Sequence, residues 1–146
     1  MNRFVLPAAA LATLGLAAGC AYQQGYGSGP HPQRPLHTPA ALAEIDHALA
    51  GRVAGPPQAC LSILSANDMR VVDENTILYF NGSRIYRNDP PGGCPGIGRP
   101  GNAMVTRPFG SQLCRGDIVQ VVDTSSGIFA GSCAMGDFVP YTKPGR

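Results

Sequence analysis

Apolar residues fall into three regimes along the chain. The first is a predominantly apolar run from Phe4 to Ala18, preceded by Met1-Asn2-Arg3 and closed by Gly19-Cys20. A positive start, an apolar stretch and a small-residue end come in the order of an export signal, and the stretch is shorter than the ~20 residues a membrane-spanning helix needs. In the second regime, residues 21–37, apolar periodicity vanishes. Gly25, Gly27, Gly29, Pro30, Pro32 and Pro35 break any regular element, and the segment reads as a disordered tether. Periodicity returns at Thr38-Pro39, where Leu42, Ile45 and Leu49 share one helical face. Thr38 is the expected N-cap, Pro39 suits the first turn and Gly51 stops the helix. The Gly55-Pro56-Pro57 break then sets a boundary near residue 58.

In the third regime the period changes to that of strands. Short β-branched or aromatic runs separated by turn residues are expected at 70–73, 76–80, 83–87, 103–106, 117–122 and 138–139. Asn81-Gly82 predicts a two-residue type I′ hairpin joining Thr76–Phe80 to Ser83–Arg87. The chain is thus expected to be an all-β protein, with a small sheet or barrel-like domain over 58–146. A signal peptide (1–20), a tether (21–37) and a short helix with its linker (38–57) precede it.

Composition narrows the class. Gly and Pro supply 33 of 146 residues while charged residues are 14%. A coiled coil, a collagen and a highly charged disordered chain are excluded. The net charge is +2, and +1 once Arg3 is removed with residues 1–20, so no nucleic-acid partner is expected.

Leu16-Ala17-Ala18-Gly19-Cys20 resembles the lipobox of bacterial lipoproteins, with Ala17 where Leu usually stands. The resemblance implies that Cys20 is lipid-modified and becomes the first mature residue, giving a membrane partner through the N-terminal lipid. Ala21 in place of Asp implies the periplasmic face of the outer membrane; soluble secretion is the alternative. Removing Cys20 leaves Cys60, Cys94, Cys114 and Cys133, an even set that reads as two disulfides in an oxidising compartment. Three pairings are open. Cys94 with Cys114, to staple the Pro90–Gly110 excursion, and Cys60 with Cys133, to tie the ends of the β domain, are preferred. Gaps of 34, 20 and 19 residues give a four-thiolate metal site no support, so neither a metal nor a cofactor is expected.

Catalytic chemistry is thin. His31, His37 and His47 all precede the β domain and read as solvated linker residues. Gly96-Ile97-Gly98-Arg99-Pro100-Gly101 matches a dinucleotide fingerprint only in letters, since the motif requires a strand before it and a helix N-terminus after it, whereas Cys94-Pro95 precedes it and Pro100 interrupts it. Alternation places Arg84, Tyr86 and Asn88 on one strand face, a candidate ligand-binding face for an anion or glycan. Asp117 and Asp137 are the carboxylates a small hydrolase would draw on.

Cys60, Arg70-Val71-Val72-Asp73, Thr76-Ile77-Leu78, Tyr86-Arg87-Asn88, Cys94-Pro95-Gly96, Leu113-Cys114, Asp117, Val122-Asp123, Cys133, Gly136, Phe138 and Pro140 together resemble an uncharacterised family of small exported proteobacterial proteins. The resemblance spans about residues 58–141. It implies export, lipid anchoring and a disulfide-bearing domain, and no nameable activity. The expected role is a non-enzymatic binding or scaffolding module of the cell envelope, with an envelope protein or glycan as partner; a carboxylate hydrolase is the alternative.

Overall fold

The computed structural model describes residues 36–62, 64, 68–107 and 110–145. The expected signal peptide, Cys20, His31 and nearly all of the expected tether lie outside the described residues. What is described is a mostly β protein with one helix, α1 (Pro39–Leu49), and ten strands: β1 (Val53–Ala54), β2 (Cys60–Ser62), β3 (Met69–Asp73), β4 (Thr76–Asn81), β5 (Arg84–Asn88), β6 (Asn102–Thr106), β7 (Gln112–Cys114), β8 (Ile118–Asp123), β9 (Phe129–Ala134) and β10 (Phe138–Thr142). They form a five-stranded antiparallel sheet in the order β1-β10-β5-β4-β3, a two-stranded ladder β2-β7, and a three-stranded sheet β6-β8-β9.

The helix starts as its sequence requires: the Thr38 hydroxyl accepts the Ala41 N–H and Pro39 opens the first turn. Gly51, with φ of 66°, turns the chain away after it. Its buried face differs from the expected stripe, because Ala41 and Ile45 are buried while Leu42 is 48% exposed. The helix rests against β3, where Glu44 meets Arg70 at 3.6 Å. Arg70 in turn lies over the Phe80 ring at 5.6 Å.

The hairpin forms with a different turn. Asn81 pairs with Arg84, so Gly82 and Ser83 are the central residues. Gly82 has φ of 57° and no described non-glycine residue has a positive φ, which excludes type I′ and fits a turn with glycine at its first central position. One left-handed residue suffices there, and Asn81 stays in the ladder.

Ile77, Tyr79, Tyr86 and Phe138 turn to one side of the large sheet and join Leu61, Ile97, Leu113, Val119, Val121 and Met135 in the main core. Leu78 and Ile85, on the other side with Arg70, are buried as well. Both sides of this sheet are therefore covered.

The disulfides depart from the preferred pairing. Cys60 bonds Cys114 and Cys94 bonds Cys133. Cys60 sits directly opposite Cys114 on the β2-β7 ladder, with Cα atoms 4.0 Å apart. The Pro90–Gly110 excursion needs no staple of its own, because β6 lies within it and pairs with β8. Its first turns are held by Glu74, whose backbone C=O accepts from Cys94 N–H and whose side chain accepts from Gly96 N–H at 2.8 Å. Strand β9, rich in Ala, Gly and Ser, carries no apolar alternation that would mark it as a strand. It passes so close to the Pro95 carbonyl that a Cβ on Gly131 would collide with it.

Candidate functional site

Arg84, Tyr86 and Asn88 do share one side of β5, but it is the core side. Tyr86 is 5% exposed and Asn88 fully buried, which leaves Arg84 alone in solvent. The candidate ligand face is corrected accordingly. Asn88 is a structural amide: its Nδ2 donates to Gly136 O at 2.8 Å and its Oδ1 accepts Gly136 N–H at 3.1 Å. It pins the β9–β10 connection to the middle of the large sheet.

Asp117 and Asp137 are likewise engaged. Asp117 accepts the Cys114 N–H at 2.7 Å, closing the β7–β8 turn, and Asp137 pairs with Arg115 at 3.0 Å. Asp123, facing solvent in the β8–β9 turn, accepts side-chain and backbone hydrogen bonds from Ser125 and Ser126. The Ser125 hydroxyl, followed by the Ser126 N–H, holds its carboxyl down at about 2.

His37 is not a solvated linker residue. Its Nδ1 lies 2.7 Å from Asp73 Oδ2, and its side chain is only 14% exposed. A carboxylate accepts only, so Nδ1 carries the proton. The bulge in β3 makes the contact. Val71 pairs with Ile77 but Asp73 with Thr76, so one extra residue moves Asp73 from the core side, where strict alternation would put it, to the side facing α1. Its other oxygen accepts the N–H groups of Asn75 and Thr76. Asn75 Nδ2 donates to Leu36 O, which fixes the start of the described chain on the same turn. Two adjoining depressions of about 340 and 330 Å³ flank His37 and Asn75, the second reaching Arg87, Asp89 and Gly93. Burial pulls the Arg87 pKa down, but the hydrogen bond and charge of Asp89, with Tyr141 beside it, outweigh this and hold it above its ordinary value. Among the described residues the only hydroxyl side chain lining either depression, that of Thr38, is occupied in capping α1. Nothing in the sequence announced this pair, because the bulge that creates it leaves no mark in the alternation of β3.

The other feature that sequence reading missed is the outer side of β6-β8-β9. Val119 and Val121 turn inward and are fully buried. The opposite side carries Ala103, Val105, Ile118, Val122, Phe129 and Ala134, with Gln120 and Ser132 among them. Ile118 is 62% and Phe129 58% exposed. Unlike the large sheet, this one has no layer over its outer side among the described residues.

Among those residues no group of three His, Cys, Asp or Glu side chains is placed to hold a metal. No helix among them is long and apolar enough to cross a membrane. The two disulfides fit an oxidising, exported destination. Comparison with protein-family models, with curated proteins and with solved structures returns no match. The chemistry of these surfaces is therefore what a functional reading stands on.

Proposed function

We propose that this chain is a cell-envelope lipoprotein, anchored through lipid on Cys20 at the periplasmic face of the outer membrane. Its β domain acts as a non-enzymatic binding module, and the outer side of β6-β8-β9 is its docking surface. The observation that carries the reading is the exposure of Val105, Ile118 and Phe129 together on one sheet face that no described residue covers. Clustered apolar exposure of this kind marks interaction surfaces on small soluble domains, whereas single exposed apolar residues do not.

The test is site-specific photo-crosslinking in intact cells. A photoreactive residue at Ile118 or Phe129 is expected to give the same discrete adducts, absent from a probe at Asp46 on α1. Ile118→Asp should abolish the Phe129 adducts while leaving the thermal unfolding midpoint unchanged. Identical adduct patterns at all three positions, or none at Ile118 and Phe129, would overturn the reading.

A further inference from the structure

The docking surface borders a strand edge with which no described residue pairs. Thr124 N–H donates to Gly101 O at 2.8 Å, which sets the alternation of the β6-β8 ladder. Ala103 and Val105 therefore turn their backbone N–H and C=O toward β8, and Met104 and Thr106 turn theirs outward. Among the described residues nothing pairs with these outward groups, and β8 is the only strand beside β6. Next to the edge, Val105, Arg107, Ile118 and Gln120 line a groove of about 150 Å³. Arg107 is exposed and has no carboxylate partner among the described residues.

We infer that β6 accepts an extended peptide segment as a fourth strand of this sheet, with an apolar side chain against Val105 and an acidic one, two residues away, against Arg107. The inference rests on the reading of the outer sheet face as the docking surface and adds the partner's chemistry and its mode of binding. Hydrogen-bond complementarity selects an extended backbone, because only a strand presents N–H and C=O groups at the two-residue spacing of Met104 and Thr106. Charge complementarity selects the acid. Alternation then fixes the two-residue interval, since side chains opposite Val105 and Arg107 leave the added strand on the same side.

The mature full-length chain, purified from the envelope in detergent, is titrated with a fluorescent heptapeptide, Thr-Glu-Thr-Val-Thr-Val-Thr, and with its Glu-to-Lys counterpart. The acidic peptide is expected to bind at least fivefold more tightly than the lysine one and to shift the Met104 and Thr106 amide resonances. Thr106→Pro removes only an outward N–H, so the ladder with β8 survives while binding falls at least tenfold. Arg107→Glu should reverse the preference between the two peptides. No binding by either peptide, or binding unchanged in Thr106→Pro, would overturn the inference. So would a dimer of the chain that Thr106→Pro dissociates, because the edge would then belong to a second copy. Each of these results leaves the crosslinking at Ile118 and Phe129 to decide the docking surface independently.

Discussion

Asn88→Ala is the substitution that separates a structural amide from a ligand contact. The Asn88 side chain is fully buried and gives Gly136 both a donor at 2.8 Å and an acceptor at 3.1 Å. Alanine keeps neither, so the Gly136 N–H and C=O stay buried without partners. At roughly 1–3 kcal/mol for each of the two orphaned buried groups, the loss is about 2–6 kcal/mol. A domain of this size has about 5–15 kcal/mol in total, so the variant should fold but melt early, by roughly 8–24 °C at about 4 °C per kcal/mol. The assay is urea unfolding followed by circular dichroism. The midpoint should drop while the slope stays constant, as expected when the native state alone is weakened. Asn88→Asp sharpens the test. Its carboxylate can still accept the Gly136 N–H but faces the Gly136 carbonyl, and burial disfavours the charge. Burial raises the folded pKa of this carboxyl, so the destabilisation should be smaller near pH 4 than at pH 7. Stability of Asn88→Ala within about 0.5 kcal/mol of wild type, the scatter of ordinary surface substitutions, would mean that Asn88 does not hold Gly136 in place.

Further outcomes follow from other sites. Replacing Cys94 and Cys133 together, or Cys60 and Cys114 together, opens cross-links spanning 39 and 54 residues, and urea unfolding of each double variant should show a loss of about 4 kcal/mol in the chain-entropy model; a loss below about 1 kcal/mol would contradict it. The Tyr79 hydroxyl is buried without a partner among the described residues, and burial pushes its pKa well above the ordinary phenol value. Tyr79→Phe keeps the edge-to-face contact with Phe138 at 5.6 Å and should raise stability by about 1 kcal/mol; a comparable drop in a thermal melt would mean that the hydroxyl is hydrogen-bonded. The Asp123 carboxyl, held at about 2 against an ordinary 3.8, contributes its turn stability above pH 3.8 and loses it as pH falls through about 2. The Ser125 and Ser126 amide resonances should titrate with that lower midpoint, and a midpoint near 3.8 would exclude the hydrogen bonds.

Local chemistry was legible in the sequence, and decisions made by tertiary contact were not. Thr38, Pro39 and Gly51 announce a helix because capping and backbone freedom are properties of single residues. Asn81-Gly82 announces a hairpin for the same reason, yet the register belongs to the five-stranded sheet, which pairs Asn81 with Arg84 and moves the turn one residue on. Alternation correctly grouped Arg84, Tyr86 and Asn88. It could not say which side of the strand is covered, and in a sheet buried on both sides polarity misleads, as the buried Asn88 shows. Leu42 was placed on the buried helical face by spacing, but Ala41 permits a closer approach to β3 and takes that position. The disulfide pairing depended on which short strands meet. Three-residue β2 and β7 carry too little periodicity to be seen, although their ladder sets Cys60 against Cys114. The same holds for His37, whose partner Asp73 is turned toward it by a bulge.

The most direct test of an exported, lipid-bearing, twice-stapled domain is a non-reducing mass-spectrometric map of the chain purified from envelope membranes. Trypsin combined with cleavage at Met104 separates Cys94 from Cys114, so all three pairings become distinguishable. The account predicts an N-terminal peptide beginning at Cys20 and carrying acyl chains, one linked pair joining the Cys60 and Cys114 peptides, and another joining those of Cys94 and Cys133. An unmodified N-terminus beginning after Cys20, or four free thiols in protein alkylated before lysis, would contradict it.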